Sequence, residues 1–100
     1  MTWPVRFTPL AESDVAEAYA EYEAARSGLG EEFLRATAGA VSLIGDFPEA
    51  CPEVHRQVRR ALLHRFPYSL YYRIDRRAGV VEVRAIVHQR RHPSSWRRRA

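Results

Sequence analysis

One hundred residues, 46% hydrophobic and 28% charged, supply one hydrophobic core and not two, and nothing in the composition suggests a disordered chain, a repeat array or a domain linker. No apolar run approaches the roughly 18–20 residues that span a bilayer, the start has no export signal, and a lone cysteine, Cys51, excludes an internal disulfide or a cysteine-based zinc site; the expectation is one soluble cytoplasmic domain over residues 1–100. The formal charge of +4 hides an asymmetry: residues 1–50 carry nine acids against Arg6, Arg26 and Arg35, whereas residues 51–100 carry thirteen arginines against Glu53, Asp75 and Glu82.

Val5-Arg6-Phe7-Thr8 is short and β-prone and Pro9 closes it, which predicts a brief first strand. From Leu10 the spacing turns helical. Ala11, Val15, Ala18, Tyr19 and Tyr22 recur on one side, with Glu12, Asp14, Glu17, Glu21 and Glu23 on the other. The early carboxylates suit the positive end of the helix dipole. Ser27-Gly28-Leu29-Gly30 breaks this helix, Gly28 being free to take the left-handed conformation that closes a helix C-terminus. A second helix begins near Gly30: Phe33, Thr37, Ala40, Val41 and Ile44 line one face, Leu34 and Leu43 widen it, and Phe47-Pro48 stops it. So short a connection predicts an antiparallel hairpin.

Residues 48–57, with Pro48 and Pro52, read as a connecting loop. After them the period drops to two. Over residues 58–66, Arg59, Ala61, Leu63 and Arg65 alternate with Val58, Arg60, Leu62 and His64, and residues 69–74 and 80–88 follow the same pattern. Pro67 separates the first two strands, and Asp75-Arg76-Arg77-Ala78-Gly79 is a hairpin loop with a glycine available for positive φ. The fold class is α+β: two antiparallel helices packed on one face of a mainly antiparallel sheet, order β-α-α-β-β-β, with many arginines on the sheet's other face.

All sixteen basic residues are arginine. Guanidinium binds carboxylate and phosphate in a planar, bidentate way and so suits nucleic acid or an acidic protein, although genomic base composition accounts equally well for the absence of lysine. A metal-independent ribonuclease needs an acid or base at the 2′-hydroxyl and leaving oxygen, with cations at the phosphate. Arg84 and His88 stand on alternating positions of the last strand and are expected to point the same way, with Arg65 or Tyr71 facing them. The plainer alternative has His88 closing a strand while the arginines solvate a sheet face. Arginines beside His88 and His92 disfavour a metal ion there, Gly28-Leu29-Gly30 lacks the third glycine of a dinucleotide loop, and no cofactor is expected. The remaining aromatics fall on core faces; Trp3 and Trp96 either cap the core edge or anchor a partner.

Several segments in fixed order carry a resemblance. They are Tyr22-Glu23 followed by Gly28-Leu29-Gly30-Glu31-Glu32-Phe33-Leu34, the loop Phe47-Pro48-Glu49, the stretch from Arg60 to Tyr68 running into Tyr71-Tyr72-Arg73-Ile74, and the ending from Val83 through His88, Arg91 and Pro93 to Trp96. Together they resemble the RelE/ParE toxin superfamily over nearly the whole chain. The resemblance implies two antiparallel helices on an antiparallel sheet and a cognate, ParD-like antitoxin that lays an extended and helical segment across the toxin. It also implies one of two targets: RelE-like toxins cut messenger RNA in the ribosome, whereas ParE-like toxins inhibit DNA gyrase without being nucleases. The segment from Phe66-Pro67-Tyr68 to Arg90-Arg91-His92-Pro93, with Trp96 behind it, is the more ParE-like, of the plasmid stabilisation family, and Arg97-Arg98-Arg99-Ala100 stands where a RelE-like nuclease has a terminal Tyr or His. The implied function is therefore a gyrase-inhibiting toxin; the alternative is a ribosome-dependent endoribonuclease with Arg65, Arg84 and His88 as its reacting groups. Antitoxin or target would engage Arg59, Arg65, Arg84, Arg90, Arg91 and Trp96.

Overall fold

The computed structural model describes residues 2–99. Its elements are β1 (Val5–Phe7), α1 (Pro9–Ala25), α2 (Leu29–Asp46), β2 (Glu53–His55), β3 (Val58–Leu62), β4 (Tyr68–Asp75), β5 (Val80–His88) and α3 (Ser94–Arg97). The strands form one sheet in the order β1-β5-β4-β3-β2. β1 runs parallel to β5 and every other neighbour is antiparallel, which is the α+β arrangement expected, with one further strand and one further helix.

Local chemistry sets the helical hairpin. Thr8 caps α1, its hydroxyl accepting from Ala11 N at 3.2 Å, and Pro9 occupies the first turn, where its missing N–H costs nothing. Gly28 has φ of 91°, a left-handed turn that a side chain would strain. The Glu23 carboxylate then accepts from Gly28 N at 3.0 and 3.1 Å and from Gly30 N at 3.0 Å, satisfying amides at the start of α2 and placing a negative charge at its positive end. Gly30 is small of necessity: a Cβ there would lie 2.7 Å from the Tyr19 ring.

The main core lies between hairpin and sheet. Ala11 and Ala18 of α1 and Phe33, Ala40 and Ile44 of α2 meet Leu70, Tyr72, Val81, Val83 and Ile86. Tyr22, Phe33, Phe66 and Tyr68 pack at centroid separations of 5.0 to 6.0 Å, each such pair adding about 0.5–1.5 kcal/mol beyond its buried area. Tyr72 is fully buried and donates to Pro48 O at 2.7 Å. Burial, and after it the side chain of Cys51, pushes its phenol well above the ordinary tyrosine range, so it stays a neutral donor.

A second, smaller apolar cluster lies on the opposite face, made of Val58, Tyr71, Ala85, Val87 and Trp96. It exists because the register between β4 and β5 shifts: Tyr72 opposes Val83 while Tyr71 opposes Ala85, leaving Arg84 as the extra residue of a bulge. Trp96, brought over by α3, stacks on Tyr71 at 4.2 Å and 12°.

Three sequence expectations change. The strand read over residues 58–66 ends at Leu62: Leu63 N still donates to Tyr68 O, but Arg65 takes a φ of 71° to close a loop ahead of Pro67. Within the loop read over residues 48–57, β2 pairs with β3 through a two-residue turn, Arg56-Gln57, both at positive φ; Arg-Gln is not the Asn-Gly or Asp-Gly signal of such turns. Leu43, assigned to a core face of α2, is 45% exposed. Glu23→Ala is expected to destabilise the fold by about 0.5–2 kcal/mol, the usual cost of losing a cap, and Glu23→Gln by less, both read from chemical denaturation midpoints.

Candidate functional site

A groove of about 570 Å³ runs between α2 and the end of β3. It forms because Ala36 and Gly39 keep the surface of α2 low while Leu43 and Leu62, 45% and 60% exposed, stand at its walls. Arg35, His64 and Arg65 rim it. Arg65 approaches Glu32 only to 3.9 Å, with 71% of its side chain exposed, so that pair contributes little to stability and leaves the guanidinium available.

The last strand does not gather the groups a nuclease would need. The bulge at Arg84 inverts the alternation, so Val83 and Ile86 face the helical hairpin while Ala85 and Val87 face away. Arg84 and His88, expected on one face, therefore part. Arg84 donates Nε and Nη2 to Glu82 Oε1, each at 3.0 Å, and Nη1 to Arg99 O at 3.1 Å. His88 packs against the Tyr68 ring at 5.3 Å, and its Nδ1 accepts from Arg90 N at 3.1 Å. Arg65 lies in the β3–β4 loop, and Tyr71 lies under Trp96. Similarly, His92 Nδ1 accepts from Ser94 N at 3.1 Å at the start of α3.

Nor do the six residues assigned to partner binding form one surface. Arg59 clips the loop before β2, donating Nη1 to Glu49 O at 3.1 Å and Cys51 O at 2.7 Å. Trp96 is buried and so closes the far-face cluster. Arg90 and Arg91 are exposed in the turn after β5, and Arg91 lines a narrower groove, about 320 Å³, between α1 and the edge of β5.

At that edge the structure adds two residues that sequence reasoning passed over. β1 covers only Val81 to Val83 of β5, which leaves the next amides without a neighbouring strand. The Asp14 carboxylate takes that place, accepting from Ile86 N at 2.9 Å. Arg99 holds the same carboxylate at 2.6 Å and donates to Arg84 O at 3.1 Å. Asp14 looked like one more solvated acid of α1 and Arg99 like one more member of a terminal arginine run; no local signal marks either. Beside them, the Ser95 hydroxyl is buried without a hydrogen-bond partner among the described residues.

A family model described as the ParE toxin of the type II toxin–antitoxin system parDE matches residues 5–93. The chain belongs to the ParE toxin family. In fold, this ParE-family chain is similar to a chain of the chromosomal ParDE toxin–antitoxin system from P. aeruginosa, at a TM-score of 0.71 and 18% identity over 87% of this chain and 96% of that one. It is also similar to a chain of the RelBE2 toxin–antitoxin complex from Mycobacterium tuberculosis, at a TM-score of 0.63 and 20% identity over 88% of this chain and 99% of that one. No curated protein sequence matches. Across this ParE-family fold, the acids of residues 1–50 lie mostly on the hairpin and the arginines of residues 51–100 mostly on the sheet, its loops and the C-terminal segment.

Asp14→Ala removes both the acceptor for Ile86 N and the partner of Arg99. The expected loss of stability is about 1.5–3 kcal/mol, the range for hydrogen bonds to a charged group, and amide exchange is expected to accelerate more at Ile86 than at Leu70, whose protection reports global unfolding.

Proposed function

We propose that this chain is the toxin half of a toxin–antitoxin pair, that it arrests DNA gyrase by binding it, and that a ParD-like antitoxin neutralises it by seating an amphipathic segment in the α2–β3 groove. The match of the ParE family model over residues 5–93 carries the reading, because ParE-like toxins are the gyrase-directed branch of the superfamily. Binding rather than cleavage is supported by the parting of Arg84 from His88 and by the engagement of His88 Nδ1 with Arg90 N: general acid–base catalysis needs its groups within hydrogen-bond reach of one reacting centre.

An antitoxin partner is supported by the toxin–antitoxin assemblies to which the similar folds belong. The groove offers two exposed leucines flanked by Arg35 and Arg65, which complements a helix carrying apolar residues at i, i+3 or i+4 with carboxylates beside them. Arg90 and Arg91, free at the surface, suit acids of the same antitoxin or of gyrase, and the cytoplasm is where such a target works.

Purified chain is expected to inhibit gyrase supercoiling and to regain no nuclease signature on ribosome-bound messenger RNA, and antitoxin is expected to relieve the inhibition. Leu62→Glu should weaken antitoxin binding by about 2 kcal/mol or more, as for an interface hot spot, without changing thermal unfolding. Supercoiling untouched at excess toxin, together with fragmented messenger RNA after induction, would reject the gyrase target.

A further inference from the structure

β5 begins at the β4–β5 turn and ends at His88, and toward its turn end the sheet carries a depression of about 520 Å³ lined by five arginines and three carboxylates. Its size is that of a ligand site, but its lining is charged where small-molecule pockets are mostly apolar. Three of the arginines are already occupied by the protein. Arg59 is bound to the Glu49 and Cys51 carbonyls, Arg76 to the Glu49 carboxylate at 2.9 Å, and Arg84 to Glu82 at 3.0 Å.

Two are not. Arg73 donates once, to Gln57 Oε1 at 2.7 Å, and among the described residues neither Arg73 nor Arg77 pairs with a carboxylate. The carboxylates of the lining do not cancel them. Glu82 is held by both Arg6 and Arg84, Asp75 accepts from Ala78 N at 3.0 Å and lies 3.7 Å from Arg6, and with Glu53 included the five arginines and three carboxylates of the lining leave a net charge of +2.

We propose that this depression binds nucleic-acid backbone, with Arg73 and Arg77 holding adjacent phosphates. A phosphodiester chain fits better than an acidic peptide for two reasons. Guanidinium takes the two non-bridging oxygens of a phosphodiester in a bidentate way, and a nucleic-acid backbone presents such a charge at every nucleotide, whereas a peptide presents one only where Asp or Glu occurs. Binding also releases condensed counterions from a polyanion, a gain that one carboxylate does not provide. The hairpin on the other side of the sheet carries Glu12, Glu17, Glu21 and Glu31, so a polyanion is repelled from that side. This binding does not depend on gyrase being the target: apart from Arg84, the lining shares no residue with the α2–β3 groove or the β5 edge.

The test is fluorescence anisotropy of the purified chain with labelled duplex DNA and, separately, single-stranded RNA of equal length. Binding is expected to weaken about tenfold between 50 and 200 mM salt, as two phosphates contacted on duplex predict, and whichever probe binds tighter identifies the natural source of the phosphates. The double variant Arg73→Gln, Arg77→Gln, checked for folding by circular dichroism, should lose about tenfold in affinity at low salt and most of its salt dependence. Arg26→Gln, which removes one positive charge from the hairpin, should stay within about twofold of the parent. No binding of either probe at 50 mM salt, equal losses in the double variant and Arg26→Gln, or equally effective competition by a polyglutamate peptide would each overturn the proposal. Because supercoiling inhibition is read in a separate assay, a chain that inhibits gyrase yet ignores both probes loses this inference alone.

Discussion

Between Val83 and Ala85 the last strand carries one residue more than its partner, and the side chains before and after that residue leave the sheet by opposite faces. Much of the molecule's closure follows from this offset. Val81 and Val83 lie under the helical hairpin, while Ala85 and Val87 present apolar surface on the side that has no hairpin. Burying that surface is worth about 25 cal/mol per Å², and Trp96 supplies the cover by stacking on Tyr71. The short α3 therefore has a place on the sheet because the bulge made an apolar floor for it.

Beyond the offset, the other edge of β5 is open. With β1 ending opposite Val83, the backbone of β5 from Arg84 onward needs partners that are not a strand, and an unpaired edge in water invites association. Asp14 and Arg99 meet that need from elements far apart in sequence, one accepting from Ile86 N and the other donating to Arg84 O. Hairpin, sheet and C-terminal segment are joined at this point by charge-assisted hydrogen bonds, which are about twice as strong as neutral ones.

Arginine here does two kinds of work. Arg59, Arg84 and Arg99 satisfy backbone carbonyls and carboxylates within the chain, as the multiple donors of guanidinium allow. Arg65, Arg73, Arg77, Arg90 and Arg91 make no ion pair shorter than 3.9 Å among the described residues, and they fall on three separate surfaces: the α2–β3 groove, the depression by the β4–β5 turn, and the exposed turn after β5.

The sequence by itself determined what depends on near neighbours: the helical hairpin from the spacing of Ala11, Ala18, Phe33 and Ile44, its turn from Gly28, the long strands from their period of two, and the family from the order of its segments. It also singled out arginines, His88 and Trp96 as candidate site residues. Which of those residues meet was not legible. Strict alternation places Arg84 with His88, and only the pairing of β5 with β4 inserts the extra residue that separates them; β2 depends likewise on an edge offered by β3, and the capture of Ile86 N by Asp14 spans 72 positions. Contacts of that kind follow from strand register and from edges left open by other strands, quantities that arise only when distant segments are brought together, and so tertiary structure alone decided which of these side chains share a surface.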